Sequence, residues 1–376
     1  MKVSQEILNL VPYKPGKPIA ETQREYGLKQ VYKLASNENA LGPSPKALQA
    51  VTAALKEQHR YPDPSCYELI EKLANKWSVS RKHLAIGNGS NEIIDLLIRI
   101  FCEAGDSILV SQAAFVAYQV CAQVSRVRVL SVPMKEDFQT DIRAMVDFFL
   151  HNAEHNKIRL IFLPNPNNPT GTYINEADML YLFEKLGHRK DVLLVFDEAY
   201  NEFVRARDYQ PASKYFAQYP NIVILRTFSK VYGLAGFRLG AMVAPEMVVE
   251  LFNRVRNPFN VNDLAQVAGI AALDDAEYIQ ASQNLVWSGL DYFYGELEKM
   301  GLPYTESQAN FVLFDTLRDV NKVNEALLRR GIILRPVLNY GFKTQMRMSV
   351  GSTIENEAAI AALKDVLKEI PPLVEA

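Results

Sequence analysis

Ile222-Val-Ile-Leu-Arg-Thr-Phe-Ser-Lys-Val-Tyr-Gly-Leu-Ala-Gly-Phe-Arg-Leu-Gly240 is the stretch of this chain that decides its fold. Its first four residues are apolar, which is typical of a buried strand. Lys230 and Arg238 follow the strand in a glycine-rich segment, with hydroxyls at Thr227 and Ser229. A cationic, partly desolvated lysine is a reactive amine, and an arginine fork binds phosphate. Alone, Lys230 would also fit a surface lysine in a flexible loop.

Other apolar runs of similar length occur upstream, and stretches with helical periodicity separate most of them. Strands that alternate with helices predict an α/β fold, with a mostly parallel, doubly wound sheet flanked by helices. Ligands bind such sheets beyond the carboxyl ends of the strands. The expected strands, besides 222–225, are Ser107–Ser111, Val127–Val132, Ile158–Leu163 and Val192–Phe196.

The pattern changes near residue 262, and we expect three parts in the chain. Residues 31–265 should form a large domain and residues 266–376 a smaller α/β domain, which starts in a long helix within 262–300. The smaller domain should hold strands at 310–314, 332–335 and 345–350 and helices near 320–330 and 355–369. Residues 1–30, which are rich in proline before residue 19, should pack on it.

Composition narrows the function classes. The chain has 376 residues, 48% of them hydrophobic, and 41 basic against 43 acidic residues give a net charge of -2. This balance favours neither a nucleic-acid partner nor a membrane surface. No secretory signal is recognisable at the start, and the three cysteines form no C-x-x-C motif, so we expect a cytoplasmic protein with reduced thiols.

Two further polar motifs follow expected strands. Asn165-Pro-Asn-Asn-Pro-Thr-Gly171 follows the strand at 158–163, and its prolines can hold the Asn168 amide fixed, although such a segment alone is mostly a turn. Asp197 follows the strand at 192–196, where a poorly solvated carboxylate can pair with a protonated ring nitrogen. Tyr200 lies three residues on and can reach the same ring; a helix cap and a half-buried aromatic are the alternatives for these two.

A phosphate site is also indicated upstream. Gly87-Asn-Gly-Ser-Asn-Glu92 precedes a helical pattern, and main-chain N–H groups at a helix start bind phosphate. Glu92 breaks the dinucleotide fingerprint. Phe115 and Tyr118 can stack on a flat ring, with core packing the better interpretation for Tyr118.

One motif suggests a metal, and we set it aside. His151-Asn-Ala-Glu-His155 fits H-x-x-E-H, but it lies in a polar stretch and no third ligand is evident downstream. We therefore expect no metal.

Asn168, Asp197, Tyr200, Ser229, Lys230 and Arg238 together resemble, in order and context, the aspartate-aminotransferase superfamily, fold type I of the enzymes that use pyridoxal 5'-phosphate (PLP). The likeness extends over nearly the whole chain. It implies that Lys230 binds the cofactor covalently and is catalytic together with Asp197, which pairs with the ring nitrogen. The remaining residues implied to bind the cofactor are Gly89, Ser90, Asn91, Phe115, Asn168, Tyr200, Thr227, Ser229 and Arg238.

Within the superfamily the chain is most similar to the histidinol-phosphate aminotransferases. The segments that carry this likeness are 12–18, 34–45, 60–63, 254–261 and 346–351. The resemblance implies amino transfer between L-histidinol phosphate and 2-oxoglutarate by ping-pong kinetics. Aromatic amino acid aminotransferases and a threonine-phosphate decarboxylase share some of these segments and are the alternatives.

The same resemblance implies further contacts and an assembly. Arg347 binds the substrate carboxylate, and Arg335 and Tyr13 are candidates for the distal phosphate or ring. Tyr61 reaches the cofactor phosphate of the other subunit in a homodimer. Phe115 stands where many relatives have Tyr. Domains of this fold also serve as ligand sensors in transcription regulators, but no helix-turn-helix segment is evident here.

Overall fold

The computed structural model describes residue 3, residues 5–8 and residues 16–373. Tyr13, a candidate substrate contact, lies outside the described residues. In these ranges no helix combines the length and the apolar character needed to cross a membrane.

Twelve strands occur in the described part of the chain, in three sheets. They are β1 (Tyr32–Lys33), β2 (Leu84–Asn88), β3 (Ser107–Ser111), β4 (Arg128–Val132), β5 (Ile158–Pro164), β6 (Leu193–Asp197), β7 (Ile222–Thr227), β8 (Leu239–Val243), β9 (Phe311–Asp315), β10 (Ile332–Ile333), β11 (Arg335–Pro336) and β12 (Gln345–Ser349).

The large sheet has seven strands in the order β2-β8-β7-β6-β5-β3-β4. Only β8 runs against its neighbours, so the sheet is mostly parallel. The predicted fold class is therefore confirmed. Strands β2 and β8 were not expected from the sequence.

Side chains along a central strand point alternately to the two faces of the sheet, which explains why these apolar runs are continuous. In β7, Ile222 and Ile224 join the apolar cluster on one face of the sheet, while Val223 and Leu225 join the cluster on the other face. Both faces are covered by helices, so residues 222–225 are all buried. The polar side chains of Arg226 and Thr227 come at the carboxyl end of the strand, where the loop with functional residues begins.

Thirteen α-helices occur in the same residues. They are α1 (Gln5–Leu8), α2 (Ile19–Tyr26), α3 (Pro45–Ala54), α4 (Tyr67–Trp77), α5 (Ser90–Phe101), α6 (Val116–Val124), α7 (Ile142–Asn156), α8 (Glu176–Leu186), α9 (Glu246–Val255), α10 (Asp263–Leu273), α11 (Ala276–Lys299), α12 (Val320–Arg329) and α13 (Thr353–Glu369).

The expectation of one long helix within 262–300 was wrong. The chain forms two helices, and the break lies at Asp274 and Asp275. Tertiary contacts hold this break, since Ser44 donates to the Asp275 carboxylate at 2.6 Å and Lys72 pairs with Asp274. Helix α10 packs on α3 and α4 beside the large sheet, so the long helix that leads into the C-terminal part starts at Ala276.

The C-terminal part contains a three-stranded antiparallel sheet, β11-β12-β9, covered by α11, α12 and α13. The strand expected at 332–335 is split, because β10 pairs instead with β1 in a separate parallel ladder. Near the other end of the chain, α2 packs on α12, where the Tyr26 hydroxyl donates to Glu325 at 3.1 Å. Helix α1 packs on α6.

Candidate active site

Three neighbouring strands end at one edge of the large sheet. β5 ends at Pro164, β6 at Asp197 and β7 at Thr227, and Pro164 lies opposite Asp197 in the ladder. Parallel strands place the loops that follow them at the same edge. The 165–171 loop, Asp197 and the segment that bears Lys230 are thereby brought together.

A cavity of about 280 Å³ lies at this edge. Arg335 and Arg347 enter it from β11 and β12, where they are directly opposite each other. The predicted site residues that line the cavity are Ser90, Asn91, Phe115, Asn168, Asp197, Tyr200, Thr227, Ser229, Lys230, Arg238, Arg335 and Arg347.

The Asp197 carboxylate is buried, and its two oxygens have different surroundings. Oδ2 accepts a hydrogen bond from the Tyr118 hydroxyl at 2.8 Å. Oδ1 is also buried and has no hydrogen-bond partner among the described residues. Burial raises the pKa of Asp197 to about 6, against the opposing effects of the Tyr118 bond, the Ala199 amide and the charge of Lys230. The carboxylate is therefore mainly ionised at neutral pH, with one acceptor oxygen unused.

The Lys230 side chain lines the cavity. Its Nζ donates to the main-chain oxygen of Asn37 at 3.3 Å and lies 5.6 Å from the centre of the Tyr200 ring. Burial, reinforced by the positive charge of Arg347, lowers the pKa of Lys230 to about 8. An appreciable fraction of this amine is neutral at physiological pH, which both a nucleophile and a proton acceptor require.

Asn168 is held in a fixed orientation, as the proline-rich loop predicts. Arg347 Nη1 donates to Asn168 Oδ1 at 2.5 Å, and Asn168 Nδ2 points to the Tyr200 hydroxyl at 3.4 Å. Arg347 Nη2 also donates to the Ala35 carbonyl at 2.7 Å. The amide N–H of Asn168 and the hydroxyl of Tyr200 thus converge on one side of the cavity.

A phosphate-sized cradle lies at the start of α5. The antiparallel strand β8 runs beside β2 and places Arg238 against Gly89, which precedes the helix. A Cβ added to Gly89 would lie 2.5 Å from Arg238 Nη2, and one added to Gly240 would lie 2.4 Å from the Ser90 main-chain nitrogen. Main-chain N–H groups at a helix N-terminus and a guanidinium together attract a phosphate.

We expect Gly89→Ala to weaken phosphate-anchored ligands by at least about 10-fold. The new methyl group would displace the Arg238 guanidinium, and the backbone at φ +77° disfavours any residue except glycine. The measurement is the dissociation constant of PLP. Gly236→Ala, in the same segment with open space around its Cβ, is the matched control. Equal affinities for both variants would contradict the cradle.

Asn37 connects the parts of the site, and the sequence did not reveal its role. Its Nδ2 donates to the Tyr200 hydroxyl at 2.9 Å, and its Oδ1 accepts from Ser349 of β12 at 2.8 Å. Its backbone has φ +56°, which directs the carbonyl towards Lys230. The segment 34–45 supported the resemblance, but a hydrogen-bonding role for one of its asparagines cannot be inferred from a single sequence.

Tyr118 is a second residue that the sequence did not assign. It is 1% exposed, and core packing was the better interpretation, yet its hydroxyl binds Asp197. The only available signal was its place three residues after Phe115.

Tyr61 lies away from the cavity of its own chain. Its side chain is 82% exposed and stacks on Phe259 at 4.6 Å between ring centres. Its assignment as a phosphate contact stays a prediction.

A larger cavity, of about 770 Å³, opens elsewhere on the surface, between Phe138, Tyr173 and Tyr304. None of the predicted site residues that the structure describes lines it. Charged, polar and aromatic side chains line this larger cavity, and among the described residues its lining includes no lysine and no buried side-chain atom that lacks a hydrogen-bond partner. The groups suited to catalysis therefore lie in the smaller cavity.

The smaller cavity fits PLP. Asp197 Oδ1, a buried acceptor without a partner, suits a protonated pyridine nitrogen. The neutral fraction of Lys230 suits an aldehyde, and the Gly89–Arg238 cradle suits the phosphate. Phe115 lies on the same cavity wall, with its ring edge-on to Tyr118.

Residues 29–363 match the family described as aminotransferase class I and II. The chain belongs to this family. The family is PLP-dependent, so the prediction of an aminotransferase with this cofactor is confirmed.

The relatives give a more particular likeness. A histidinol-phosphate aminotransferase of Bdellovibrio bacteriovorus is 65% identical over 373 residues, which are 99% of this chain and 100% of the relative. The enzyme of that name from Anaeromyxobacter sp. is 45% identical over 366 residues, or 97% and 99% of the two chains. The predicted resemblance to histidinol-phosphate aminotransferases is confirmed.

Solved structures agree. The crystal structure of histidinol-phosphate aminotransferase from Sinorhizobium meliloti, in complex with pyridoxal-5'-phosphate, superposes with a TM-score of 0.88 at 26% identity. The match covers 98% of each chain. The fold is therefore shared from end to end.

Proposed function

We propose that this chain transfers an amino group between L-histidinol phosphate and 2-oxoglutarate, a step of histidine biosynthesis. Its family and the names of its relatives support the reaction class and the donor. Both substrates would use the same cavity in turn, which gives ping-pong kinetics.

The observation that carries this proposal is the pair of arginines in the cavity. Arg335 and Arg347 lie opposite each other on β11 and β12, and both line the cavity that contains Lys230. The amino donor has a phosphate and the acceptor has two carboxylates, so each substrate presents an anionic end. Guanidinium groups bind such anions in a bidentate manner.

The residues around the cofactor would divide its binding among them. Arg238, Ser229 and the start of α5 would hold the phosphate, and Asp197 would hold the ring nitrogen. When bound, PLP supplies an aldehyde that takes up the amino group and a ring that accepts the electron pair left at the substrate Cα. Asn168 and Tyr200 would donate hydrogen bonds to the ring oxygen from their side of the cavity.

Lys230 would move the proton. Its Nζ, with a pKa of about 8, can accept a proton from the substrate Cα and later return it as an acid. The Asn37 carbonyl keeps the amine inside the cavity, and the charge of Arg347 opposes protonation.

A comparison of substrates tests the proposal. We expect kcat/KM for L-histidinol phosphate to exceed that for phenylalanine, tyrosine and histidine by at least about 100-fold, since these lack the phosphate. A preference for phenylalanine or tyrosine would establish an aromatic aminotransferase instead. Release of carbon dioxide from L-threonine phosphate would establish a decarboxylase.

We also propose a homodimer in which Tyr61 completes the neighbouring site. The Tyr61–Phe259 stack is part of an exposed apolar surface, and Leu48 and Leu55 of the adjoining helical segment are 47% and 55% exposed. Exposed apolar side chains favour a protein interface. In the homodimer that we propose, Tyr61 of each chain would contact the cofactor phosphate bound by the other chain.

Mixing two inactive variants tests this assembly. Lys230→Ala inactivates a chain's own site, whereas Tyr61→Phe would impair the partner's site. Their heterodimer should contain one intact site and recover up to about a quarter of the wild-type activity after random mixing. Mixtures no more active than the separate variants would place Tyr61 within its own chain's function.

Finally, we propose a cytoplasmic location. Cys66, Cys102 and Cys121 are all unpaired. Free thiols persist in a reducing compartment, which also suits an enzyme of amino-acid biosynthesis.

A further inference from the structure

The two oxygens of Asp197 are made unequal by one neighbour, Tyr118. The Tyr118 hydroxyl donates to Oδ2 at 2.8 Å, whereas Oδ1 is left without a partner. A carboxylate with two free oxygens could rotate about its last bond. Here the hydrogen bond to one oxygen fixes the direction of the other.

The Tyr118 ring is itself held rigidly. It is in the first turn of α6 and stacks on Phe162, with 4.5 Å between ring centres and planes 15° apart. Phe115 packs edge-on against it at 5.8 Å. The phenol is therefore confined on two sides, and its hydroxyl stays aimed at the carboxylate. A flexible donor such as serine would not restrict Asp197 in this way.

We propose that Tyr118 is a positioning residue for the reaction, which orients Asp197 so that Oδ1 faces the ring nitrogen of the cofactor. The inference rests on the proposed use of PLP in this cavity. Tyr118 acts through Asp197, which distinguishes it from the residues that contact the cofactor's reacting atoms.

The charges around Asp197 support the same role. Burial raises the pKa of its carboxyl, while the Tyr118 donor, the Ala199 amide and Lys230 lower it. Tyr200 and Tyr340 are further titratable groups near Tyr118, and burial raises the pKa of both, that of Tyr200 to about 12, so both are uncharged at neutral pH. The pKa of Tyr118 is also raised well above its ordinary value by burial, so it remains a donor. Without this donor, burial would raise the pKa of Asp197 further.

Tyr118→Phe tests the proposal because it removes the hydroxyl and keeps the stacked ring. We expect the acid limb of the kcat/KM profile to move up by about one pH unit, and kcat at pH 7 to fall about 10-fold with the donor KM nearly constant. Independently of turnover, 13C NMR of labelled aspartate in the cofactor-free protein should show a raised carboxyl pKa. The dissociation constant of PLP at pH 6 should rise several-fold.

Tyr215→Phe is the matched control, because it removes a tyrosine hydroxyl from another carboxylate, Glu176, outside the cavity. Equal acid limbs, carboxyl pKa values and cofactor affinities in the two variants would overturn the proposal. In a double-mutant cycle, Tyr118→Phe should add little to the defect of Asp197→Asn. Full additivity would show that Tyr118 does not act through Asp197.

A second variant keeps the test decisive if Tyr118→Phe does not fold. Replacing Tyr118 with 3-fluorotyrosine retains the ring and makes the hydroxyl a stronger donor, so the acid limb should move to lower pH. An unchanged limb would contradict the role. If the substrate assignment fails instead, the NMR titration and the cofactor affinity still report on Tyr118, so the two failures can be told apart.

Discussion

Lys230→Ala is expected to lower kcat for amino transfer by more than about 10³-fold, the largest effect of any single substitution in this chain. Lys230 is the one lysine among the described residues that line the cavity, and a methyl group cannot carry a proton. The Gly89–Arg238 cradle remains, so PLP should still bind without a covalent bond. Single-turnover kinetics and the intact mass after borohydride reduction would measure both effects.

The control for this variant is Lys190→Ala, which removes an exposed lysine that does not line the cavity. It should retain wild-type kcat and the mass increase after reduction. Residual transamination within 10-fold of wild type in Lys230→Ala would overturn the assignment of Lys230.

Asp197→Asn is expected to lower kcat/KM by about 10²- to 10³-fold. Asparagine keeps the shape of the side chain but offers no negative charge to a protonated ring nitrogen. In the wild type, activity should fall as the pH drops through about 6, where the Asp197 carboxylate of the cofactor-free protein becomes protonated. The variant should lose this limb of the pH profile.

The stability of the Asp197→Asn protein distinguishes a direct loss of activity from misfolding. The pKa of Asp197 is higher in the folded chain than its ordinary value of 3.8, so ionisation is less favourable in the folded state. The carboxylate therefore subtracts stability progressively as the pH rises from about 4 to about 6, and the loss stays constant at higher pH. The cofactor-free Asp197→Asn protein should have a Tm at pH 7 equal to or above that of the wild type. A lower Tm with activity lost in proportion would argue for a structural defect, and Asp208→Asn is the surface control.

The parallel strands could be predicted because each is a short apolar run buried on both faces. The strand expected at 107–111 is observed with the same bounds. The strand expected at 222–225 is longer in the structure and ends at Thr227. Strands β2 and β8 were missed because each contains a glycine, which weakens the signal for a strand. Gly87 and Gly240 face each other across their ladder, a pairing that brings two backbones close to Ser90 and that periodicity does not encode.

The helix break at Asp274 and Asp275 illustrates a second limit. Neither aspartate excludes a helix by propensity, and the chain turns there because Ser44 and Lys72 bind the two carboxylates. These partners lie more than 200 residues away in the sequence. Contacts of that range are set by the tertiary fold.

Site residues whose type indicates their chemistry could be predicted. Common residues that obtain a role only from their neighbours were missed. Lys230, Asp197 and Arg238 follow strands or glycines and carry charge, so their chemistry could be inferred. Asn37 and Tyr118 act through hydrogen bonds to Tyr200 and Asp197, and such pairings become visible only in three dimensions.

The bonds between Asn37 and Ser349 have a consequence for the order in which the chain matures during translation. They join residues 312 positions apart, whereas Gly89, Asp197, Lys230 and Arg238 all precede residue 240. A nascent chain can assemble the cradle and the buried lysine early, because domains generally fold as they leave the ribosome. Asn37 obtains its partner on β12 only when synthesis is almost finished. A prematurely terminated chain would therefore present a cofactor cradle without the arginines that admit a substrate.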